Sequence, residues 1–346
     1  MLPTKGYAQL EKGGRLQPWK FERRNPRPDD VAVKILYSGV CHSDIHALKD
    51  GWGQEIPLVP GHEIMGEVTN LGSNVKEFER GDHVLIGTMV DSCRVCQQCK
   101  TEMESYCRQS PTYTYDSLDR VDHTRTRGGY SDTYVADQRF VYHLPKGMNG
   151  AAAAPLVCAG ITTYSPLRHW NVGPGHTVAV IGIGGLGLLG VKFAHAMGAH
   201  VVAFTVSPDK VKEAKRLGAH EVVISTDSKA MQAQAGRFDF ILDTVSGKHN
   251  LDPYLMALKM DGTLCSLGIP NSMQFTPAFV AMSRLSIASS ASGGTRETRE
   301  MLEFCAKHHI AADVELVQMS EINALLERLG RGDVKYRFVI DITKGL

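Results

Sequence analysis

Six residues, Gly182-Ile183-Gly184-Gly185-Leu186-Gly187, limit what this chain can fold into more than any other segment. They read G-x-G-x-x-G, which alone says little in a sequence with 34 glycines. The setting gives the pattern its meaning. An apolar run at 177–181 precedes it, a helix-like segment at 186–197 follows, and a second apolar run spans 201–206. Strand, glycine turn, helix, strand is the context that a dinucleotide-binding turn requires. Glycines let the backbone approach a pyrophosphate, and the free N–H groups at the helix start face its charge. Gly182, Gly184, Gly185, Leu186 and Gly187 are therefore expected cofactor contacts. Tight strand–helix packing without a ligand is the plainer reading of the same glycines; the full context favours the cofactor.

The alternation continues. Apolar runs at 221–225, 238–243, 263–268 and 285–288 are separated by helix-like stretches, among them 207–217 and 252–260. Ser207-Pro208-Asp209 reads as a helix start, a capping hydroxyl followed by proline at the first helical position. Such alternation predicts an α/β fold, a doubly wound parallel sheet covered by helices. The first 145 residues read differently. Short strand candidates at 31–37, 63–70 and 83–87 are punctuated by glycines, and 23–30 with its two prolines is a loop. After about 290 come a helix at 295–308, another near 320–329 and a final strand at 336–340. A chain of 346 residues suits two domains. No internal repeat or low-complexity tract interrupts it.

Lys plus Arg number 38 and Asp plus Glu 37, a formal net charge of +1. Such balance exerts no global pull on nucleic acid or anionic lipid. The uncharged stretch 148–167 contains Asn149, Pro155 and Pro166 and is a poor membrane helix. The first residues lack the apolar core of a signal peptide. A cytoplasmic location is the expectation, and there the eight cysteines stay reduced, which favours metal or catalytic roles over disulfides.

Cys93, Cys96, Cys99 and Cys107 form C-x2-C-x2-C-x7-C. Four thiolates so close in sequence converge on one ion, and tetrahedral sulfur suits a closed, structural zinc site. Iron–sulfur clusters also use four cysteines, with other typical spacings. A second set is scattered: Cys41 directly after a strand, His62 in Pro60-Gly61-His62-Glu63, and Cys158 just before the α/β region. Two thiolates, one imidazole and an open fourth position describe a catalytic zinc. Cys265 and Cys305 lie in apolar contexts and read as core.

The second strand of the α/β region ends in Thr205-Val206-Ser207-Pro208-Asp209-Lys210. A carboxylate at the end of this strand holds the ribose hydroxyls of NAD and repels a 2′-phosphate. Thr205 is neutral, Ser207 offers a hydroxyl, and Lys210 supplies a countercharge, with Lys212 or Arg216 as substitutes. The expected cofactor is NADP(H). Asp209 is discordant unless it faces solvent.

With these motifs, the stretches GVCHSDIH, VPGHE, PLVCAGITTYSPLRHW and VKYRFVID resemble the zinc-dependent medium-chain alcohol dehydrogenases, the cinnamyl alcohol dehydrogenase (CAD) branch in particular. The resemblance runs in order over essentially the whole chain. It implies a β-rich, GroES-like catalytic domain made of residues 1–146 and 290–346, with a Rossmann domain at 147–289 inserted between them. It implies two zinc ions per chain. Cys41, His62 and Cys158 match the catalytic ligands, and Cys93, Cys96, Cys99 and Cys107 the structural lobe. Glu63 matches a carboxylate beside the metal, and Asp44 one that orients the histidine ligand. Ser43 and His46 match a proton relay, Thr162 a contact on the nicotinamide side, and Arg337 a contact to the pyrophosphate. His42 fits either a residue near the cofactor or a solvated loop histidine.

The function implied is reversible oxidation of primary alcohols to aldehydes with NADP(H), aromatic or medium-length apolar substrates being favoured. A polyol dehydrogenase of the same fold is the alternative; such enzymes often carry Glu where this chain has Cys158. A zinc-ribbon interaction module is another, but Asp91, Glu102 and Glu104 offset Arg94, Lys100 and Arg108, and the glycine turn would be left without a role. A homodimer is implied by resemblance, with 285–288 as the candidate strand for pairing. The loops around Trp52 and at 116–127 are candidates for shaping the substrate pocket.

Overall fold

A computed structural model describes residues 1–49, 53–268, 270 and 272–346. Trp52 lies outside the described residues. The chain forms two compact units, Met1–Cys158 with Gly294–Leu346, and Ala159–Gly293. The breaks fall after Cys158 and Gly293, later in the chain than the expected junctions after residues 146 and 289.

The inner unit carries six parallel strands in the order Glu221–Ile224, His200–Thr205, Thr177–Ile181, Phe238–Asp243, Leu258–Ser266, Ser286–Ser289. Strand order reverses between Thr177–Ile181 and Phe238–Asp243, which is where open parallel sheets bind ligands. The central strands Thr177–Ile181 and His200–Thr205 are near-continuous apolar runs because both faces are covered. Val178, Ala179, Val180, Val201 and Val202 have no exposed surface. Phe204 stands edge-on to Phe238 and Tyr254, with ring centroids 5.5 and 5.6 Å apart.

Two local expectations are corrected. The helix expected at 252–260 stops at Leu255, and Leu258–Ser266 is a strand. Leu258 is 3% exposed and pairs with Phe238, so its burial in the sheet overrides the helical propensity of Leu-Lys-Met. The helix expected from Ser207 begins as the 3-10 turn Pro208–Lys210 before Val211–Arg216, and no hydroxyl caps it. Instead the Ser207 N–H donates to Thr205 Oγ1 at 3.1 Å, which fixes the backbone just before that turn.

The outer unit is built on Asp30–Gly39, which pairs with Ile64–Leu71, Thr133–Asp137 and Arg337–Asp341. Arg337–Asp341 comes from the far end of the chain, so the sheet joins segments that lie on either side of the inner unit in sequence. Two elements carry no strong sequence signal. The hairpin Leu2–Gln9 with Leu16–Arg23 is rich in charged and polar residues. The short strand Val314–Val317 leaves Leu316 54% exposed.

The four-cysteine lobe is tied to the helix Thr295–His308. Buried Glu104, between Cys99 and Cys107, accepts from the Thr295 N–H at 2.9 Å and from its hydroxyl at 3.0 Å. A carboxylate at a helix N-terminus satisfies orphan donors and meets the positive end of the dipole. Replacing Glu104 by Gln keeps the shape and removes the charge. We expect a loss of about 1–2 kcal/mol, read as a lower thermal midpoint by calorimetry. An unchanged midpoint would show that the contact carries no stability.

Candidate active site

Asp30–Gly39 runs out into Val40 and Cys41, and Cys41 directly precedes the helix His42–Leu48. Asp44, on the first turn of that helix, has no exposed surface. Its carboxylate accepts from the Cys41 N–H at 2.9 Å, the Gly61 N–H at 3.2 Å and the Tyr130 hydroxyl at 3.0 Å, and lies 3.4 Å from His62 Nδ1. One acid thus fixes two loops that are distant in sequence. It also places the Nδ1 proton of His62 on itself and leaves Nε2 free to be a ligand. Nε2 lies 3.2 Å from Cys158 Sγ, and Cys41 Sγ lies 3.9 Å from Cys158 Sγ.

Cys41, His62, Glu63 and Cys158 bring their ligand atoms within 4.8 Å of one another. Glu63 is fully buried, and Arg337 bonds one of its oxygens. The other oxygen, Oε2, has no hydrogen-bond partner. Room for it exists only because residue 39 is glycine, since a Cβ there would lie 2.0 Å from that oxygen. An orphaned acceptor next to two sulfurs and an imidazole nitrogen is the donor set of a divalent cation, and these residues fit zinc.

The protons of the cluster are shared unequally. The hydrogen bond from Cys158 holds the Cys41 thiol well below its ordinary value and raises that of Cys158 itself. Burial opposes charge on His62, but Asp44 outweighs it and raises the imidazole. Burial pushes the Glu63 carboxyl up to about 7, against the pull of Arg337. A cation here displaces protons, so binding is linked to pH.

Ser43 Oγ lies 3.6 Å from Cys41 Sγ. Ser43 and His46 are three residues apart on one helix and share a face. His46 is exposed, and its ring lies 5.4 Å from that of His42, which is exposed too. Sequence reasoning missed Tyr130, Tyr115 and Gly39. Tyr130 holds Asp44, and the Tyr115 ring packs 5.7 Å from that of His62. No local pattern announces these contacts, because Tyr130 and Asp44 are 86 residues apart.

Cys93, Cys96, Cys99 and Cys107 also place their sulfurs within 4.8 Å of one another. Cys96 precedes the short helix Gln97–Lys100, and its N–H donates to Cys93 Sγ at 3.4 Å. A backbone hydrogen bond from Arg108 lowers the Cys96 thiol to about 6, and burial pushes Cys99 up to about 12. Arg94 in this lobe pairs with Asp91 at 2.8 Å and Asp137 at 2.9 Å. Cys265 and Cys305 are fully buried core residues, as expected.

In the inner unit, Gly182 turns the chain with a φ of 85° after Thr177–Ile181. A Cβ on Gly187 would lie 1.9 Å from the Gly182 carbonyl oxygen, so the close turn–helix approach requires glycine. Gly184, which precedes the helix Gly185–Ala196, has nothing within 4 Å of where a Cβ would stand. That open backbone, facing the first helical N–H groups, fits a bound pyrophosphate. Thr205 is 5% exposed, Ser207 and Lys210 are half-buried, and Asp209 is exposed. Among the described residues no carboxylate pairs with Lys210. Thr162 is half-buried on the helix Ala159–His169.

Two family models match. Residues 27–146 match the alcohol dehydrogenase GroES-like domain, and 185–307 match the zinc-binding dehydrogenase model. The aldehyde reductase YahK of Escherichia coli is 50% identical over 330 residues, covering 94% of each chain. A probable mannitol dehydrogenase of Stylosanthes humilis is 47% identical over 345 residues, covering 99% of this chain and 97% of its own. The crystal structure of CAD from Helicobacter pylori complexed with NADP(H) superposes with a TM-score of 0.93 at 36% identity, covering 100% of this chain and 99% of that one. Fold, domain order and full-length identity agree: the chain is an oxidoreductase of the zinc-binding alcohol dehydrogenase family, with a Rossmann-like parallel sheet inserted into a GroES-like domain.

Proposed function

We propose that this protein interconverts aldehydes and primary alcohols with NADP(H), aromatic or medium-length apolar aldehydes being its preferred substrates. The observation that carries the reading is the convergence of Cys41, His62 and Cys158 beside the orphaned oxygen of Glu63. When bound, zinc supplies a Lewis acid for the carbonyl or alcohol oxygen, and the nicotinamide supplies or accepts the hydride. Cys41, His62 and Cys158 hold that ion, while Cys93, Cys96, Cys99 and Cys107 hold a second, structural one. Asp44 orients His62. Ser43 takes the alcohol proton and His46, on the same helix face at the surface, passes it to solvent. Thr162 and the turn Gly182–Gly187 position the cofactor, and Arg337 holds Glu63 beside the metal ligands.

A polyol substrate stays within the reading, since a relative at 47% identity bears the name probable mannitol dehydrogenase. The ligand Cys158 does not by itself set polyols aside. An aldehyde panel with mannitol alongside separates the two. Among the described residues no helix is long and apolar enough to cross a membrane, which agrees with a cytoplasmic enzyme. The strand Ser286–Ser289 ends its sheet, and Met282 just before it is 83% exposed. An open strand edge next to exposed apolar surface supports a homodimer paired there.

Mutation separates the two metal sites. Cys158→Ser should lose one zinc per chain and nearly all turnover while the thermal midpoint stays close to wild type. Cys99→Ser should mainly lower the midpoint, because a structural zinc contributes folding free energy. Zinc content, turnover and melting of each variant decide, and a fully active Cys158→Ser enzyme ends the catalytic assignment.

The relay is visible in the pH profile of alcohol oxidation. His46→Gln keeps polarity and removes the titratable ring, so the rate should fall near neutral pH and recover at high pH or with added buffer base. Ser43→Ala should cost more, since it breaks the first link. A wild-type profile in His46→Gln would mean that protons leave by another path.

Cofactor choice follows from Thr205, Ser207 and Lys210. One charge-assisted hydrogen bond to the 2′-phosphate favours NADPH over NADH by roughly ten- to a hundredfold in kcat/KM. Thr205→Asp should reverse much of that preference, chiefly through KM for the cofactor. Equal kcat/KM values in the wild type would contradict the reading.

A further inference from the structure

We propose that His249 is a positioning residue for the cofactor site: its imidazole, seated on the buried carboxylate of Asp243, fixes the segment 244–249 that braces the glycine turn. The inference rests on the cofactor lying against that turn.

Asp243 ends the strand Phe238–Asp243, next to Thr177–Ile181 at the reversal of strand order. It is 1% exposed. Oδ1 accepts from the Val245 N–H at 3.0 Å, and Oδ2 lies 3.4 Å from the Ser266 hydroxyl and 3.3 Å from His249 Nε2. Among the described residues no lysine or arginine contacts this carboxylate. His249 is its cation. The contact is one of charge more than direction, because Nε2 makes no well-aligned hydrogen bond.

Geometry sets the charge of the ring. His249 Nδ1 lies 2.9 Å from the Gly247 carbonyl oxygen, while Nε2 faces Asp243. The Gly247 carbonyl requires a proton on Nδ1, and the carboxylate 3.3 Å from Nε2 favours a second one by charge. A neutral ring would turn a lone pair toward one acceptor or the other. Asp243 accordingly holds this imidazole above its ordinary value. The other titratable groups around the pair stay neutral. Burial raises Tyr254, whose ring stands edge-on at 6.1 Å, and pushes Cys265 up to about 12. Lys248, on the same loop, is exposed.

The pair reaches the cofactor turn through the next two residues. The Thr244 hydroxyl lies 2.8 Å from the carbonyl oxygens of both Ile181 and Gly182, and its N–H donates to Ile181 at 3.0 Å. The Val245 side chain packs against Gly182, 2.8 Å from where a Cβ on that glycine would stand. When His249 loses its proton, Asp243 is left as a buried, uncompensated charge beside these contacts. The bracing is therefore complete below the pKa of His249 and lost as pH rises through it.

The test is NADPH binding to the zinc-loaded enzyme, followed by nicotinamide fluorescence from about pH 7 to about pH 9.5, above the phosphate ionisation near 6. Wild-type Kd should rise with pH by roughly three- to tenfold. His249→Gln should bind weakly at neutral pH with a flat profile, and His249→Arg, a permanent cation, should recover tight binding at the alkaline end. Asp243→Asn, which keeps an acceptor for Val245, should also be flat and should make His249→Gln silent in the double variant. A wild-type profile in His249→Gln, or additive effects in the double variant, overturns the proposal. Gly184→Val separates the premises. If it binds NADPH normally, the cofactor turn itself is misassigned and both readings fall. If it loses binding while His249→Gln behaves as wild type, the role of His249 alone is wrong.

Discussion

Asp44 carries no exposed surface, and every acceptor position it offers is directed at an element of the metal site. Cys41 and Asp44 belong to one helix start, Gly61 and His62 to a turn, and Tyr130 to a third segment. Backbone hydrogen bonds already tie Gly129 to Gly61 and Tyr130 to Pro60, and the carboxylate adds the link from both of these segments to the helix start at Cys41. Removing it would leave Cys41 and Gly61 N–H groups and the Tyr130 hydroxyl as buried, unpaired donors. The same contact selects the tautomer of His62. Scaffold stability and ligand chemistry thus share one residue.

The inner unit solves a similar problem without charge at its turn. There the backbone itself must face a ligand, and the condition is absence of side chains. Gly187 lets the helix touch the turn, and Gly184 leaves the approach open. Thr244 and Val245 then hold the turn from the neighbouring strand end. A ligand site made of backbone needs rigid neighbours, because a misplaced N–H group cannot rotate to compensate as a side chain can.

What was legible in the sequence follows from distance along the chain. The four-cysteine lobe spans Cys93 to Cys107, and the glycine turn spans six residues, so local spacing announces both. The central strands of the inner sheet are buried on both faces and read as apolar runs close to their true ends, whereas Leu258–Ser266 begins five residues before the run expected at 263–268. The scattered set Cys41, His62 and Cys158 emerges from its local settings and from family likeness. Gly39, Tyr115 and Tyr130 were out of reach, because what makes them necessary is a contact across strands or loops. The helix expected at 252–260 failed for a related reason: Leu258 answers to its partner Phe238 and not to its own neighbours. The charged hairpin at the N-terminus gives no burial pattern to read, since its stability comes from pairing and from one half-covered face.

Charge explains why the two metal sites use different ligands. The site at Cys41 is buried, and a charge there is costly unless compensated. Its two thiolates, Glu63 and Asp44 are opposed by Arg337, which leaves three negative charges in the fully ionised state; a divalent cation reduces these to one. The imidazole of His62 adds a ligand without adding charge. A third thiolate in place of His62 would return the excess. The constraint is weaker at the lobe at Cys93. Cys99 and Cys107 are buried, but Cys93 and Cys96 are only half-buried and backbone N–H groups point at their sulfurs, so four thiolates around one divalent ion are tolerated. The buried site is therefore held to mixed ligands with a carboxylate beside them. The half-buried lobe can close completely with sulfur, which suits a permanent crosslink.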